Sequence, residues 1–308
     1  MMNRQAALLS IDTPIRLSAG AHSALIAPQA GGRVLSLSSE RRGGGVGVGQ
    51  PHHWLVPITA HQWLNSEWPK GGCYPLVPFS NRIRGARFTL ADAEHRLATF
   101  DGQAHALHGY GQYVAWQVDA CSNDAVTLSY THREGDSGWP WAFRATQTLT
   151  LDADGFTLAM HLRNLSTDAM PAGFGFHPYF SADQARLSAD WRWPHDNEEI
   201  ALRREPAMAR ERVHGRTAEG YTEYCSGWDG RARLAWHTGA HLEMAADPVF
   251  DHLVVHCAPG RDYLCLEPVT HVSDALNLAH AGVPGTGLRQ LAPQQDLQGR
   301  LTLRLQPD

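Results

Sequence analysis

The chain has 308 residues, of which 43% are hydrophobic and 19% charged, and carries a formal net charge of −5. This composition supports a substantial core, and the acidic balance argues against nucleic-acid or anionic-membrane partners. The length suits one large all-β domain or two ordinary ones.

Five cysteines, Cys73, Cys121, Cys225, Cys257 and Cys265, are odd in number and widely spaced, with no CxxC. They read as reduced thiols in a cytoplasmic protein rather than as a disulfide framework or a zinc site. Lys70 is the only lysine, so any imine chemistry runs through it; Gly71 follows it, which excludes a phosphate-binding loop. The N-terminal apolar patch Ala6–Leu9 is too short for a signal peptide, and no run reaches membrane length.

In chain order, residues 14–40 alternate as β structure, with Gly20 and Gly31-Gly32 as turns. The glycine-rich stretch 43–49 lacks a complete G-x-G-x-x-G and reads as a connection; Arg41-Arg42 before it reads as solvated surface. Residues 71–88, GGCYPLVPFSNRIRGARF, hold too much Pro and Gly for a helix and crowd Arg82, Arg84 and Arg87 together. Arginine forks suit carboxylates or sugar hydroxyls; for Arg84 and Arg87 structural ion pairs are expected. His105 and His108 have no carboxylate or cysteine beside them, so no metal is expected there. A strand is expected at 113–118.

The middle of the chain is the clearest β territory. Val126, Leu128 and Tyr130 alternate with Thr and Ser, and so do Phe156, Leu158, Met160 and Leu162 with more polar residues. Residues 152–155, DADG, make a hairpin turn between such runs. In the loop SGWPW, Trp139 either stacks on the apolar face of a sugar ring or fills the core.

Residues 172–180, AGFGFHPYF, present His177 among aromatics, and Pro178 pushes it into extended geometry. A strand ending at a cleft would place this imidazole for proton transfer; the alternative is a buried, hydrogen-bonded histidine. Residues 183–220 look least β-like and are expected to be a long excursion with one short helix, a possible rim over the cleft. Strands resume at 233–236, 241–244 and 251–256. YLCLEP at 263–268 delivers Glu267 at a strand end, and 301–305 forms a closing strand. With no repeat or composition shift, residues 1–308 read as a single antiparallel domain.

Without family knowledge, His108, His177 and Glu267 offer a general acid and a general base. A glycosidase would need a second opposed carboxylate, for which Asp229 or Asp274 stands open. NRI at 81–83, LHG at 107–109, FHPYF at 176–180 and LEPVTHVSDALN at 266–277 together resemble the aldose 1-epimerase (galactose mutarotase) family, in that family's order.

The resemblance implies an all-β sandwich of the mutarotase-like supersandwich type. It implies cofactor-free, metal-free interconversion of the anomers of a free aldose, with a small sugar as partner and a monomer or weak homodimer as the assembly. Carried over, Glu267 matches the base at the C1 hydroxyl and His177 the acid at the ring oxygen. His108 matches a second histidine near the ring oxygen, and Arg82, with Asn81 beside it, a hydroxyl-binding arginine. Asp229 in GWDG is the best match for a substrate-binding aspartate, with Asp247 and Asp251 as competitors. Gly-Tyr-Gly after His108 and Pro-Tyr-Phe after His177 depart from the family's usual pattern and resemble a divergent bacterial branch. A hexose-6-phosphate epimerase using Arg84 or Arg87, and a non-catalytic sugar-binding protein, are the competing readings.

Overall fold

Period-2 alternation becomes an antiparallel meander. Ala125–His132, Phe143–Leu151 and Gly155–Asn164 pair in sequence, and Gly155–Asn164 pairs in turn with Asp296–Gln306. The Asp152 carboxylate accepts the backbone N–H groups of Asp154 and Gly155, which closes the hairpin as its sequence predicts. Phe156, Leu158, Met160 and Leu162 point into the core. The computed structural model describes residues 10–11, 13–40, 50–65, 69–99 and 103–307, so the expectations for Ala6–Leu9, Arg41-Arg42 and the stretch 43–49 lie outside the described residues.

A second layer positions the site. Its strands are β1 (Cys73–Leu76), β2 (Gly175–Phe180), β3 (Gln184–Trp193), β4 (Tyr221–Ala235), β5 (His252–Cys257) and β6 (Leu264–Val269). They lie side by side in the order β1–β2–β6–β5–β4–β3, all antiparallel. β4 joins the layers: Tyr221–Ser226 pairs with β5, whereas Arg231–Ala235 pairs with His241–Ala246 on the way to the meander. Gly227, at φ +62°, allows the bend between those halves. The architecture is an all-β antiparallel sandwich.

The alternation along β2 decides where chemistry can occur. Phe176 and Phe180 enter the core shared with Leu158 and Met160. His177 and Tyr179 face the other way, where Tyr74, Tyr179, Tyr224, Val254, Cys265 and Val269 form a second, smaller apolar cluster. Both faces of β2 and β6 are buried, so neither strand shows a wet side.

Two expectations are corrected. Residues 184–193 form the ten-residue strand β3, followed by short strands Glu205–Pro206 and Glu211–Gly215. Its inward positions Ala185 and Ala189 are small, which weakens the hydrophobic period. The strand expected at 113–118 lies instead at Gln117–Cys121, after a 3-10 turn at Gly111–Tyr113. That strand is exposed throughout and carries no burial pattern, whereas the aromatic flank before it is buried at Trp116.

Candidate active site

Register brings the two principal residues together. Gly175 pairs with Val269 and Tyr179 with Cys265, which sets His177 on β2 directly opposite Glu267 on β6. On one flank His177 pairs with Tyr74 of β1; on the other Glu267 pairs with Val254 of β5, which pairs with Tyr224 of β4. Tyr74, His177, Glu267, Val254 and Tyr224 therefore form one row across the sheet, all on the face turned away from the main core.

Within that row Nε2 of His177 lies 3.3 Å from Oε1 of Glu267. Both residues are almost inaccessible, at 5% and 3% exposure. The imidazole is stacked between Tyr74, at 4.7 Å between ring centroids, and Tyr179, at 4.6 Å. The buried Arg33 guanidinium lies over the Tyr74 ring at 4.3 Å.

Burial pushes the Glu267 carboxyl up to about 8, with nearby Glu199 adding to the effect and Arg82 and Lys70 opposing it. Burial also holds His177 well below the ordinary histidine range, helped by His108, His256, Lys70 and Arg33. At neutral pH these shifts leave the pair with one shared proton, held by Glu267 as a carboxylic acid beside a neutral imidazole, because burial penalises either charged form. Oε2 of Glu267 and Nδ1 of His177 are buried without a hydrogen-bond partner among the described residues.

His108 enters from the loop above the row, its ring 5.2 Å from that of His177. The Asn81 backbone N–H donates to His108 Nδ1, so in the neutral ring the proton sits on Nε2. Burial, then Arg82 and Lys70, keep that ring neutral. The backbone here is tightly held: His108 has φ +60° and Gly109 +65°, and a Cβ at Gly109 would lie 2.1 Å from the Val77 carbonyl oxygen.

Arg82 is held by an ion pair with Glu199, and Asn81 Oδ1 accepts from its backbone N–H at 2.8 Å. Tyr224 donates to the Glu199 backbone carbonyl at 2.8 Å. Burial works to raise the Glu199 carboxyl, but Arg82 and the Thr222 hydroxyl outweigh it and hold it below the usual range. Arg84 pairs with Asp196 and Glu198, as expected of a structural arginine.

Two distant sequence motifs prove to be one structure. The Ser80 N–H donates to Nε2 of His271 at 3.1 Å, and the Arg84 N–H to Oδ1 of Asp274 at 2.9 Å. Asn277 Nδ2 then bonds Asp274 Oδ1 at 2.7 Å and the Arg87 carbonyl at 3.0 Å. The polar residues after Glu267 therefore brace the loop that carries Asn81 and Arg82. Asp274 Oδ1 is thereby engaged with this loop.

Two candidate residues lie elsewhere. Trp139 is 0% exposed and packs against Phe79, Phe88 and Trp141 in the main core. The turn folds it inward because a large aromatic at a strand end gains more from burial than from facing water. Trp139→Ala is expected to cost about 3–5 kcal/mol of stability, measured by chemical denaturation. Intact stability with a raised KM would return Trp139 to the cleft.

Asp229 is exposed, and its Oδ1 accepts the Arg231 backbone N–H. It sits beyond the Gly227 bend, on the part of β4 that leads away from the row. Asp247 instead accepts the Arg300 N–H. The carboxylate that closes on Arg82 is Glu199, from the loop after β3. Sequence reading missed it, together with Tyr74, Thr222 and His256. The alternation HLVVH in β5 could have placed His256 on the face of Val254; nothing local marks Glu199.

Comparison with known proteins gives a family match and a shared fold. The family profile described as aldose 1-epimerase matches residues 14–304. The chain is 28% identical over 263 residues to the uncharacterized protein YphB of Escherichia coli K12, covering 76% of this chain and 83% of that protein. It is 27% identical over 135 residues to aldose 1-epimerase of Haemophilus influenzae, covering 40% and 39% of the two chains. Among solved structures, the GalM/aldose epimerase homologue from C. elegans shares the fold, with a TM-score of 0.79 at 13% identity, over 96% of this chain and 99% of that one.

Proposed function

Because the chain belongs to the aldose 1-epimerase family, we propose that it interconverts the α and β anomers of a free hexose by acid–base ring opening. The observation that carries this reading is the buried His177–Glu267 pair at 3.3 Å, whose burial raises the carboxyl and lowers the imidazole. The shared proton first passes from Glu267 Oε1 to His177 Nε2; in that form Glu267 takes the proton of the C1 hydroxyl while His177 gives its Nε2 proton to the ring oxygen. The C1–O5 bond breaks, C1 becomes a carbonyl, and the pair ends as a carboxylic acid beside a neutral imidazole. Rotation about C1–C2 and the reverse proton transfers close the ring on the other face. Burial favours the neutral pair, so reaching the carboxylate–imidazolium form costs free energy that ring opening returns when the pair becomes neutral again.

His108, protonated at Nε2, donates toward the oxygen side of the ring, and Arg82 offers its fork to hydroxyls. No step calls for a metal or cofactor, so EDTA is expected to leave the rate unchanged. The Asp196 and Glu198 carboxylates on Arg84 support a neutral sugar over a phosphosugar, since they already neutralise that cation. A binding protein would gain nothing from burying an acid–base pair. Among the described residues no helix is long and apolar enough to cross a membrane; the free cysteines support the cytoplasmic reading.

Polarimetry of freshly dissolved α-D-glucose and α-D-galactose tests the proposal: the protein should speed the approach to anomeric equilibrium for at least one. No acceleration of either, with turnover of glucose 6-phosphate, would move the reading to the phosphosugar class. The pH profile is a second check. Glu267 is raised to about 8, so the pair loses its only proton above that pH. After subtraction of the uncatalysed rate, kcat/KM should fall about tenfold per unit above pH ~8. The acid limb should lie well below the ordinary histidine range, where His177 gains its proton. A rate still rising from pH 8 to 9 would remove the pair as proton carrier.

A further inference from the structure

Next to the row that holds Glu267 runs a second one. Tyr179 pairs with Cys265, Cys265 with His256, and His256 with Thr222. His256 therefore lies on the same face as Glu267, one strand outward on the side away from His177 and one step along. It is half-buried, and it lies near enough to His108 and His177 for its protonation to act on both.

The protonation of His256 follows from a count of hydrogens. Thr222 has one hydroxyl proton, which it donates to Glu199 Oε1 at 2.7 Å. The 2.9 Å contact between Thr222 Oγ1 and His256 Nδ1 must then take its proton from the imidazole. Burial outweighs the Glu199 carboxylate and keeps the ring on the neutral side. A neutral ring protonated at Nδ1 has a bare lone pair at Nε2, and this nitrogen has no hydrogen-bond partner among the described residues. The relay runs from Arg82 through Glu199 and Thr222 to His256. It ends in a fixed acceptor, whereas His108 ends in a fixed donor.

Resting on the epimerase reading above, we propose that His256 is a specificity-determining residue whose Nε2 accepts a hydrogen bond from the substrate hydroxyl on C2. Glu199 and Thr222 act as its positioning residues. The order of groups supplies the assignment. With the ring oxygen at His177 and the C1 hydroxyl at Glu267, the next hydroxyl outward, away from His177, is the one on C2. The site therefore selects aldoses that carry a C2 hydroxyl over their 2-deoxy counterparts. A deoxy sugar leaves the acceptor unpaired, the situation in which polar sites discriminate strongly.

The experiment measures kcat/KM for anomerisation of D-glucose, D-galactose and their 2-deoxy forms with wild type, His256→Phe, His256→Gln and Thr222→Val. Wild type should prefer the parent sugar by at least ~10-fold. His256→Phe should bring the ratio to within about twofold of unity, mainly through KM of the parent. His256→Gln, which keeps an acceptor, should restore part of the preference, and Thr222→Val should give an intermediate ratio. Equal losses on parent and deoxy sugars in His256→Phe would mark a merely structural histidine and overturn the proposal. So would a wild-type ratio below about twofold. Turnover of none of the four sugars by wild type would instead remove the epimerase reading, and this inference with it.

Discussion

Glu267→Gln is expected to lower kcat for anomer interconversion by about 10³–10⁴-fold, the upper range for loss of a general base. Glutamine keeps the shape and can still hydrogen-bond His177, but it cannot take the C1 proton. The variant should also be better folded than wild type in mild base. The folded carboxyl is raised from 4.5 to about 8, so between those values the native state binds more protons than the unfolded chain. Wild-type stability therefore falls as pH rises through that window, and the glutamine variant lacks this loss. Thermal melts at pH 5 and pH 8 should show the Tm gap between variant and wild type widening by a few degrees at the higher pH. Near-wild-type activity would remove Glu267 as base; an unchanged Tm gap would mean that its carboxyl is not raised.

His177→Asn should reduce kcat by at least ~10²-fold, the low end for a general acid. Some rate should survive, because Glu267 and the hydrogen-bonding residues around the ring remain. The variant also loses the ring stacked between Tyr74 and Tyr179, so a denaturation curve belongs beside the assay. A stable variant with less than about tenfold loss would pass the acid role to His108, whose Nε2 proton is the nearest alternative. The two variants should not be additive. Each removes half of a single proton carrier, so the double variant should be little slower than Glu267→Gln alone.

Local features announced much of this in advance. The alternation at 156–162 and the turn at 152–155 are patterns of neighbouring residues, and each appears where those neighbours place it; the expected strand around Glu267 also forms, but it runs Leu264–Val269 and holds Glu267 inside it rather than at its end. His177 and Glu267 each stood out within their own stretch. Their meeting did not, because it depends on which strand lies beside β2 and in what register. β3 was hidden by small alanines on its inner face. Trp139 was ambiguous because the same aromatic surface suits a sugar or a core, and only the packing of Phe79, Phe88 and Trp141 around it settles which.

The sequence by itself determined the strand alternation, the all-β class and the chemistry on offer, since those follow from side-chain type and period. Tertiary structure alone decided the rest. It set Glu267 opposite His177, closed Glu199 over Arg82, fixed the protons on His108 and His256, and moved Trp139 and Asp229 out of the site. The physical reason is that a pKa, a tautomer and an ion pair are properties of contacts. The contacts at this site join residues far apart in the chain, through a sheet register that no single stretch encodes.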